Sequence, residues 1–189
     1  MKTVLRGAFL IMLVFGVQMS FAAEDKVERA REYFSNLELI NQDGETVRFF
    51  DDVLKDKVVV INFIFTNCQG ACPLMTHKLS LVRDQFEGKI GNPIQFVSLS
   101  IDPERDTPAA MKAFAQKHMA DHDGWVFLTG DPENLDNIIK RLGQFVEDIE
   151  AHSTMMLAGN VNSAHWMKIK PHELPPQIVE KIRLLLEDG

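Results

Sequence analysis

Apolar residues follow two rhythms along this chain. The first is continuous. Lys57 to Phe65 (KVVVINFIF), Ile94 to Ile101 (IQFVSLSI) and Trp125 to Leu128 (WVFL) are short β-branched and aromatic runs between turn-forming residues. Runs of this length predict buried strands, apolar throughout because both faces are covered. The second rhythm is helical. Met75, Leu79, Val82 and Phe86 recur at spacings of four, three and four, and Gly88 follows. That spacing predicts a helix opening at Pro73 with one apolar face. Thr107-Pro108 has the form of an N-cap with proline in the first turn, opening a helix through His118. Asp131-Pro132 opens another, with Leu135, Ile138, Ile139 and Leu142 inward and Gly143 as its stop. Thr154 to Leu157 and His165 to Ile169 are placed to pair as a hairpin across Gly159-Asn160 and Asn162-Ser163. Pro175-Pro176 opens a last helix with Ile178, Ile182 and Leu185 on one stripe.

The predicted order is strand, helix, strand, helix, strand, helix, hairpin, helix. Such alternation argues for an α/β protein with a mostly parallel, right-handed sheet, to which the closing hairpin adds an antiparallel part. The expected architecture is therefore a central mixed β-sheet flanked by helices. The chain's only cysteines, Cys68 and Cys72, fall where the first of these strands meets its helix. That placement fits a thioredoxin-like fold. No repeat, low-complexity stretch or Pro/Gly/Ser linker divides residues 38–187, so they are expected to form one domain. Residues 23–37 are charged and weakly periodic and predict a short exposed lead-in.

The N-terminal segment changes the expected compartment. Lys2 and Arg6 precede an apolar run of eleven residues, Gly7 to Val17, and Ser20-Phe21-Ala22 offers small residues at a cleavage site after Ala22. Residues 1–22 thus predict an export signal, and the periplasm as destination. The competing reading is a retained anchor at the inner membrane. It is marginal, because only 17 uncharged residues separate Arg6 from Glu24, against roughly 20 for a spanning helix. Composition narrows the partners. The 189 residues are 46% hydrophobic and 25% charged, so a fibrous or wholly disordered chain is excluded. The net charge of −7 and the lack of a basic run argue against nucleic acid.

Two cysteines four positions apart close too small a loop to staple a fold. They predict chemistry. At the start of a helix they lie on one side, close enough for a disulfide after modest adjustment, or for a metal clamped between two thiolates. The helix N-terminus favours the thiolate, which is both nucleophile and metal ligand. Spacing alone does not choose between these roles. Three residues separate the cysteines, one more than in Cys-x-x-Cys reductases, which fits a chelate more readily than a tight disulfide cycle. Two soft thiolates select Cu(I) or Zn(II), while a four-cysteine structural zinc site is excluded by count.

Six histidines compete to be a third ligand. His118 and His122 lie in a charged helix end and loop, and His172 follows Pro171; all three are expected to be solvated. His77 is five positions past Cys72, about 140° around the helix from it. His165 begins a hairpin strand beside Trp166 and predicts a structural role. His152 sits just before the strand that follows the second crossover. In a thioredoxin-like fold that loop faces the cysteine motif and usually carries a cis-proline. No proline occurs between Pro132 and Pro171, so His152 is a candidate for that place. Without the fold, a surface-loop histidine is the simpler reading.

Four blocks give these residues a family context: Asn62-Phe63-Ile64-Phe65-Thr66-Asn67-Cys68 with Cys72-Pro73; Ser100-Ile101-Asp102-Pro103-Glu104-Arg105-Asp106-Thr107-Pro108; Gly124-Trp125 with Leu128-Thr129-Gly130; and His152-Ser153-Thr154. In this combination the chain resembles the Sco/SenC family of copper-binding, thioredoxin-like proteins over about residues 38–187. The resemblance implies a metallochaperone that delivers copper for the binuclear copper centre of cytochrome c oxidase or a related cuproprotein. Copper would be held foremost as Cu(I), and also as Cu(II). It further implies a thiol reductant of that centre's cysteines. The family's three copper ligands map onto Cys68, Cys72 and His152. Two thiolates and an imidazole suit Cu(I), and oxidation of the pair to a disulfide would remove two ligands, coupling metal release to redox state. The chain departs from the family at Gln69 (usually proline), and at Gly70 and Ala151 (often acidic). Two fewer negative charges are expected to weaken the pull on a cation while leaving the ligands in place. The segment Leu157 to Ile169 also lacks the Asp-Pro-x-Gly turn of typical members. These changes mark a divergent branch and leave room for a different recipient.

Two other features read as structural. In Asp102 to Pro108 the prolines fix a turn and Asp106 or Thr107 caps the next helix, although the position, at the carboxyl end of a parallel strand, leaves partner docking open. Met155 and Met156 carry thioethers that can bind Cu(I) but predict core packing. The enzymatic alternative is a thiol–disulfide oxidoreductase in which Cys68 attacks and Cys72 resolves. A peroxiredoxin-like peroxidase is disfavoured, because Lys57 to Cys68 contains no proline.

Overall fold

The computed structural model describes residues 26–145 and 154–188. The export segment, His152 and Ala151 lie outside the described residues.

In chain order the elements are α1 (residues 26–34), β1 (Glu38–Asn41), β2 (Thr46–Arg48), a π-helical turn (Phe49–Leu54), β3 (Val58–Ile64), α2 (Ala71–Arg83), β4 (Ile94–Ser100), α3 (Pro108–Lys117), β5 (Trp125–Thr129), α4 (Pro132–Arg141), β6 (Met156–Asn160), β7 (His165–Ile169) and α5 (Pro175–Glu187). A short 3-10 turn, Asp84–Phe86, continues α2. The strands form one seven-stranded sheet in the order β2-β1-β5-β4-β3-β6-β7. β3, β4 and β5 are parallel, and every pairing outside them is antiparallel.

The continuous apolar runs became the parallel centre, where all seven residues of β3 and all seven of β4 are buried. Proline-led helix starts hold as predicted. Thr107 Oγ1 accepts the Ala110 N–H at 3.2 Å, and Asp131 accepts those of Glu133 and Asn134 at 2.9 and 3.1 Å. α2 begins at Ala71, before Pro73, so Cys72 lies inside its first turn.

Three features differ from expectation. The sheet is less parallel than predicted, because β1 and β2 add an antiparallel edge. These strands have four and three residues with alternating exposure, too short for a continuous apolar run to announce them. The lead-in is not simply exposed: residues 26–34 are helical, Phe34 is buried, and Val27 and Ala30 pack on the core. The hairpin register is also shifted. β6 runs on to Asn160 and pairs Gly159 with Trp166. A Cβ at Gly159 would sit 2.3 Å from the Trp166 ring, so the glycine is needed for the indole to lie across the strand.

Two apolar layers sandwich the sheet. Beneath α2, α3 and α5 lie Val60, Ile64, Leu79, Phe96, Met111, Trp125 and Ile182. On the other face the π-helical turn, α4 and Phe34 cover Val59, Ile61, Val97, Leu99 and Leu128. The cysteines open from the first layer, at the carboxyl end of β3.

Candidate metal centre

β3 ends at Ile64, and the chain turns through Thr66 and Asn67 so that the Cys68 N–H donates to the Phe65 carbonyl at 3.1 Å. Gly70 occupies the N-cap of α2 and offers no side chain to its first turn. Cys68 takes that role, its Sγ accepting the Cys72 N–H at 3.4 Å. The cysteine sulfur thus caps the helix that carries its partner. Both cysteines are thiols in this structure.

Their environments are opposed. Partial burial works to raise the Cys68 pKa, but the Cys72 N–H, the Cys72 thiol and the N–H groups of Gly70 and Ala71 outweigh it. Cys68 is held below the ordinary cysteine value. Cys72 is only 2% exposed. Burial pushes its pKa up to about 12, with the Cys68 sulfur acting in the same direction against a hydrogen bond from the Phe65 backbone. Cys68 is the accessible nucleophile and Cys72 the sheltered partner.

A buried carboxylate fixes the loop that presents them. Asp106 is 0% exposed. Its Oδ1 accepts from the Thr66 N–H at 2.9 Å and the Thr66 hydroxyl at 2.6 Å, and its Oδ2 accepts from Ser100 Oγ at 2.6 Å. This joins the ends of β3 and β4 two residues before Cys68. Asp106 therefore braces the cysteine loop, while Thr107 alone caps α3. Asp102 is turned to Arg105, whose Nε donates to its Oδ2 at 2.5 Å. Neither was separable from the other in the charged Asp102–Pro108 block; the signal was an acid next to a helix cap that already had its threonine.

A narrow cavity of about 10 Å³ lies behind Cys72, lined also by Asn62, Phe63, Ala71, Met75 and Thr154–Met156. Met156 is 1% exposed and belongs to the core as predicted, whereas Met155 is only half-buried; both line this cavity. The roomier clefts, about 570 Å³ beside Tyr33 and Trp166 and about 610 Å³ beside Asp43 and Lys112, contain neither cysteine. The thiols therefore face outward through Cys68 rather than into an organic-substrate pocket.

Among the described histidines, His77, His122, His165 and His172 are exposed, and His165 Nδ1 bonds Asp188. His118 is half-buried, not solvated as expected: its ring lies 4.4 Å from that of Phe114, and burial, helped by Lys117, lowers its pKa. Among the described residues no group of three or more His, Cys, Asp or Glu side chains is arranged to hold a metal. The donor set on the page is the sulfur pair, which is chemically suited to a soft cation.

Comparison with known proteins assigns the lineage. Residues 25–187 match the SCO1/SenC family model, and the chain belongs to that family. A Stutzerimonas stutzeri protein named for copper binding is 30% identical over 129 residues, covering 68% of this chain and 61% of that one. The solved structure of a SCO1/SenC family lipoprotein from Bacillus anthracis str. Ames is 32% identical with a TM-score of 0.69, covering 80% of this chain and 94% of that one. Another, described as identifying a disulfide switch in BsSco, a member of the Sco family of cytochrome c oxidase assembly proteins, is 25% identical with a TM-score of 0.67, covering 80% and 92%. The mixed sheet flanked by helices is the thioredoxin-like fold of these Sco structures, as predicted. The chain spans about half the length of the first curated relatives it matches, 45 to 61%. No helix among the described residues is long and apolar enough to cross a membrane.

Proposed function

We propose that this protein is an exported copper metallochaperone that takes up Cu(I) as cargo through Cys68, Cys72 and His152 and passes it to the copper-bearing subunit of cytochrome c oxidase or to a related cuproprotein. One observation carries the reading: Cys72 lies in the first turn of α2 and the Cys68 sulfur, just before the helix, accepts its N–H at 3.4 Å. A soft cation is the ligand such a pair suits. Thr154 lines the cavity beside Cys72, and His152 is two residues earlier in the sequence. The copper-binding name of the Stutzerimonas relative supports the metal, and the oxidase-assembly description of BsSco supports the recipient. The lipoprotein relative supports export, with residues 1–22 as signal or retained membrane anchor and the periplasm as compartment.

The asymmetry of the thiols favours a second reading, a thiol–disulfide oxidoreductase acting on a cuproprotein's cysteines. Cys68 would attack as thiolate and Cys72 would displace the mixed disulfide. The two readings part in one experiment: competitive Cu(I) titration of the reduced native chain, His152→Ala and Cys68→Ser/Cys72→Ser. The chaperone reading expects one tightly held Cu(I), weakened by His152→Ala and lost in the double variant. Copper held no better by the native chain than by the double variant would leave the oxidoreductase, whose disulfide-linked partner Cys72→Ser would trap.

A further inference from the structure

The core behind Cys72 contains an unfinished polar chain. Asn62 alternates in phase with Val60 and Ile64, on the face of β3 that meets α2. It is 2% exposed. Trp125 Nε1 donates to Ser98 Oγ at 3.0 Å, and Ser98 Oγ donates to Asn62 Oδ1 at 2.7 Å. Among the described residues the chain stops there, because Asn62 Nδ2 has no hydrogen-bond partner among them. Its acceptor end is committed to Ser98, so the amide cannot turn over without breaking that bond. Asn62 and Cys72 line the same cavity of about 10 Å³. That space is too small for an organic molecule and holds at most about one water, so a side chain at the wall is the other group placed to meet Nδ2.

A buried donor without a partner costs folding free energy; an apolar residue of similar size would remove that cost but leave the Ser98 hydroxyl without its acceptor. Among the cavity's walls the Cys72 sulfur is the one that gains negative charge when a cation is bound. A thiolate accepts an N–H bond far better than a thiol or thioether does. We propose that Asn62 is a positioning residue for Cys72: its Nδ2 donates to the Cys72 sulfur once a bound soft cation holds that sulfur as thiolate. The bond completes the Trp125–Ser98–Asn62 chain and draws the sulfur toward the sheet. This rests on the metal-binding reading above and adds the group that supports its buried ligand.

The test uses the reduced native chain, Asn62→Leu, Asn62→Val and Cys68→Ser/Cys72→Ser as blank. Two cations are titrated: Cu(I) against a competing chelator, and Cd(II), which a neighbouring dithiol takes up whatever its biological cargo. Loss of a partner hydrogen bond to a ligand is expected to weaken binding by about 10- to 100-fold. Both variants should show that loss for both metals, with a shifted Cd(II)–thiolate charge-transfer band and an unfolding temperature, metal-free, close to native. Either variant suffices if the other does not fold. Metal affinities and band position unchanged from native would overturn the role of Asn62, as would affinity lost only in step with unfolding temperature. If the native chain holds no Cu(I) but the variants still weaken and shift Cd(II), the copper reading fails and the role of Asn62 stands.

Discussion

On the face of the sheet covered by α4 and the π-helical turn, β3 and β4 contribute Val59, Ile61, Phe63, Val97 and Leu99. On the face beneath α2 the same two strands place Asn62, Ser98 and Ser100 in phase with Val60, Ile64 and Phe96, and all three polar residues are buried. The registers are shared, with Asn62 beside Ser98 and Ile64 beside Ser100. The first face is apolar apart from Gln95 near the start of β4, whose amide donates to the Phe96 carbonyl, and it serves packing. The other carries hydrogen bonds: one chain ends at Asn62, beside the cavity that Cys72 lines, and another ties the loop holding Cys68. Buried polar groups add directional constraint where apolar contacts would allow sliding. A site made of two sulfurs needs that constraint on one side only.

Substitutions on the two faces should therefore separate stability from chemistry. The largest stability effect is expected on the apolar face. Ile61→Ala should cost about 3 to 4 kcal/mol by leaving a cavity in a fully buried position. Denaturant unfolding checks the cost, and Cys68 alkylation in the folded state should keep its native pH profile. An equal change in that profile would mean the faces are not separable.

Asp106→Ala should cost less, about 2 to 3 kcal/mol, since Thr66 and Ser100 lose a charged acceptor. Unlike Ile61→Ala it should also disturb the thiols. In the native chain, iodoacetamide should alkylate Cys68 with a midpoint below the ordinary cysteine value of 9.0. In Asp106→Ala the midpoint should move upward as Cys68 loses its fixed approach to the α2 N–H groups.

Cys72 predicts a smaller effect confined to alkaline pH. Its thiol is pushed from 9.0 to about 12 by burial. Above about 9 the unfolded chain loses this proton while the folded chain keeps it, so folding stability falls as pH rises toward 12. The difference in stability between the reduced native chain and Cys72→Ser should therefore shrink from pH 9 upward. A pH-independent difference would contradict the burial of that thiol. Thr107→Ala, removing the α3 cap alone, should cost about 1 kcal/mol and leave alkylation unchanged.

The strands and helices that bury long apolar runs were legible in the sequence, because each run has the period of its element. Asp131-Pro132 and Thr107-Pro108 were legible for a local reason: the cap and the first turn are neighbours in the chain. The cysteine pair was legible from spacing. The brace and the polar chain were not. Thr66 meets Asp106 across 40 positions, and Asn62 meets Ser98 across 36. Such contacts depend on which strands pair and in what register, which no local pattern encodes. β1 and β2 escaped notice because an edge strand exposed on alternate positions looks like loop. α1 did so because its charges mask the single buried Phe34.

The most direct test of the copper site is X-ray absorption at the copper edge of the Cu(I)-loaded native chain and His152→Ala. The account predicts two sulfur scatterers and one nitrogen per copper in the native chain, with both sulfurs kept and the nitrogen lost in His152→Ala. A copper bound without two sulfur neighbours, or a nitrogen that survives the removal of His152, would contradict it.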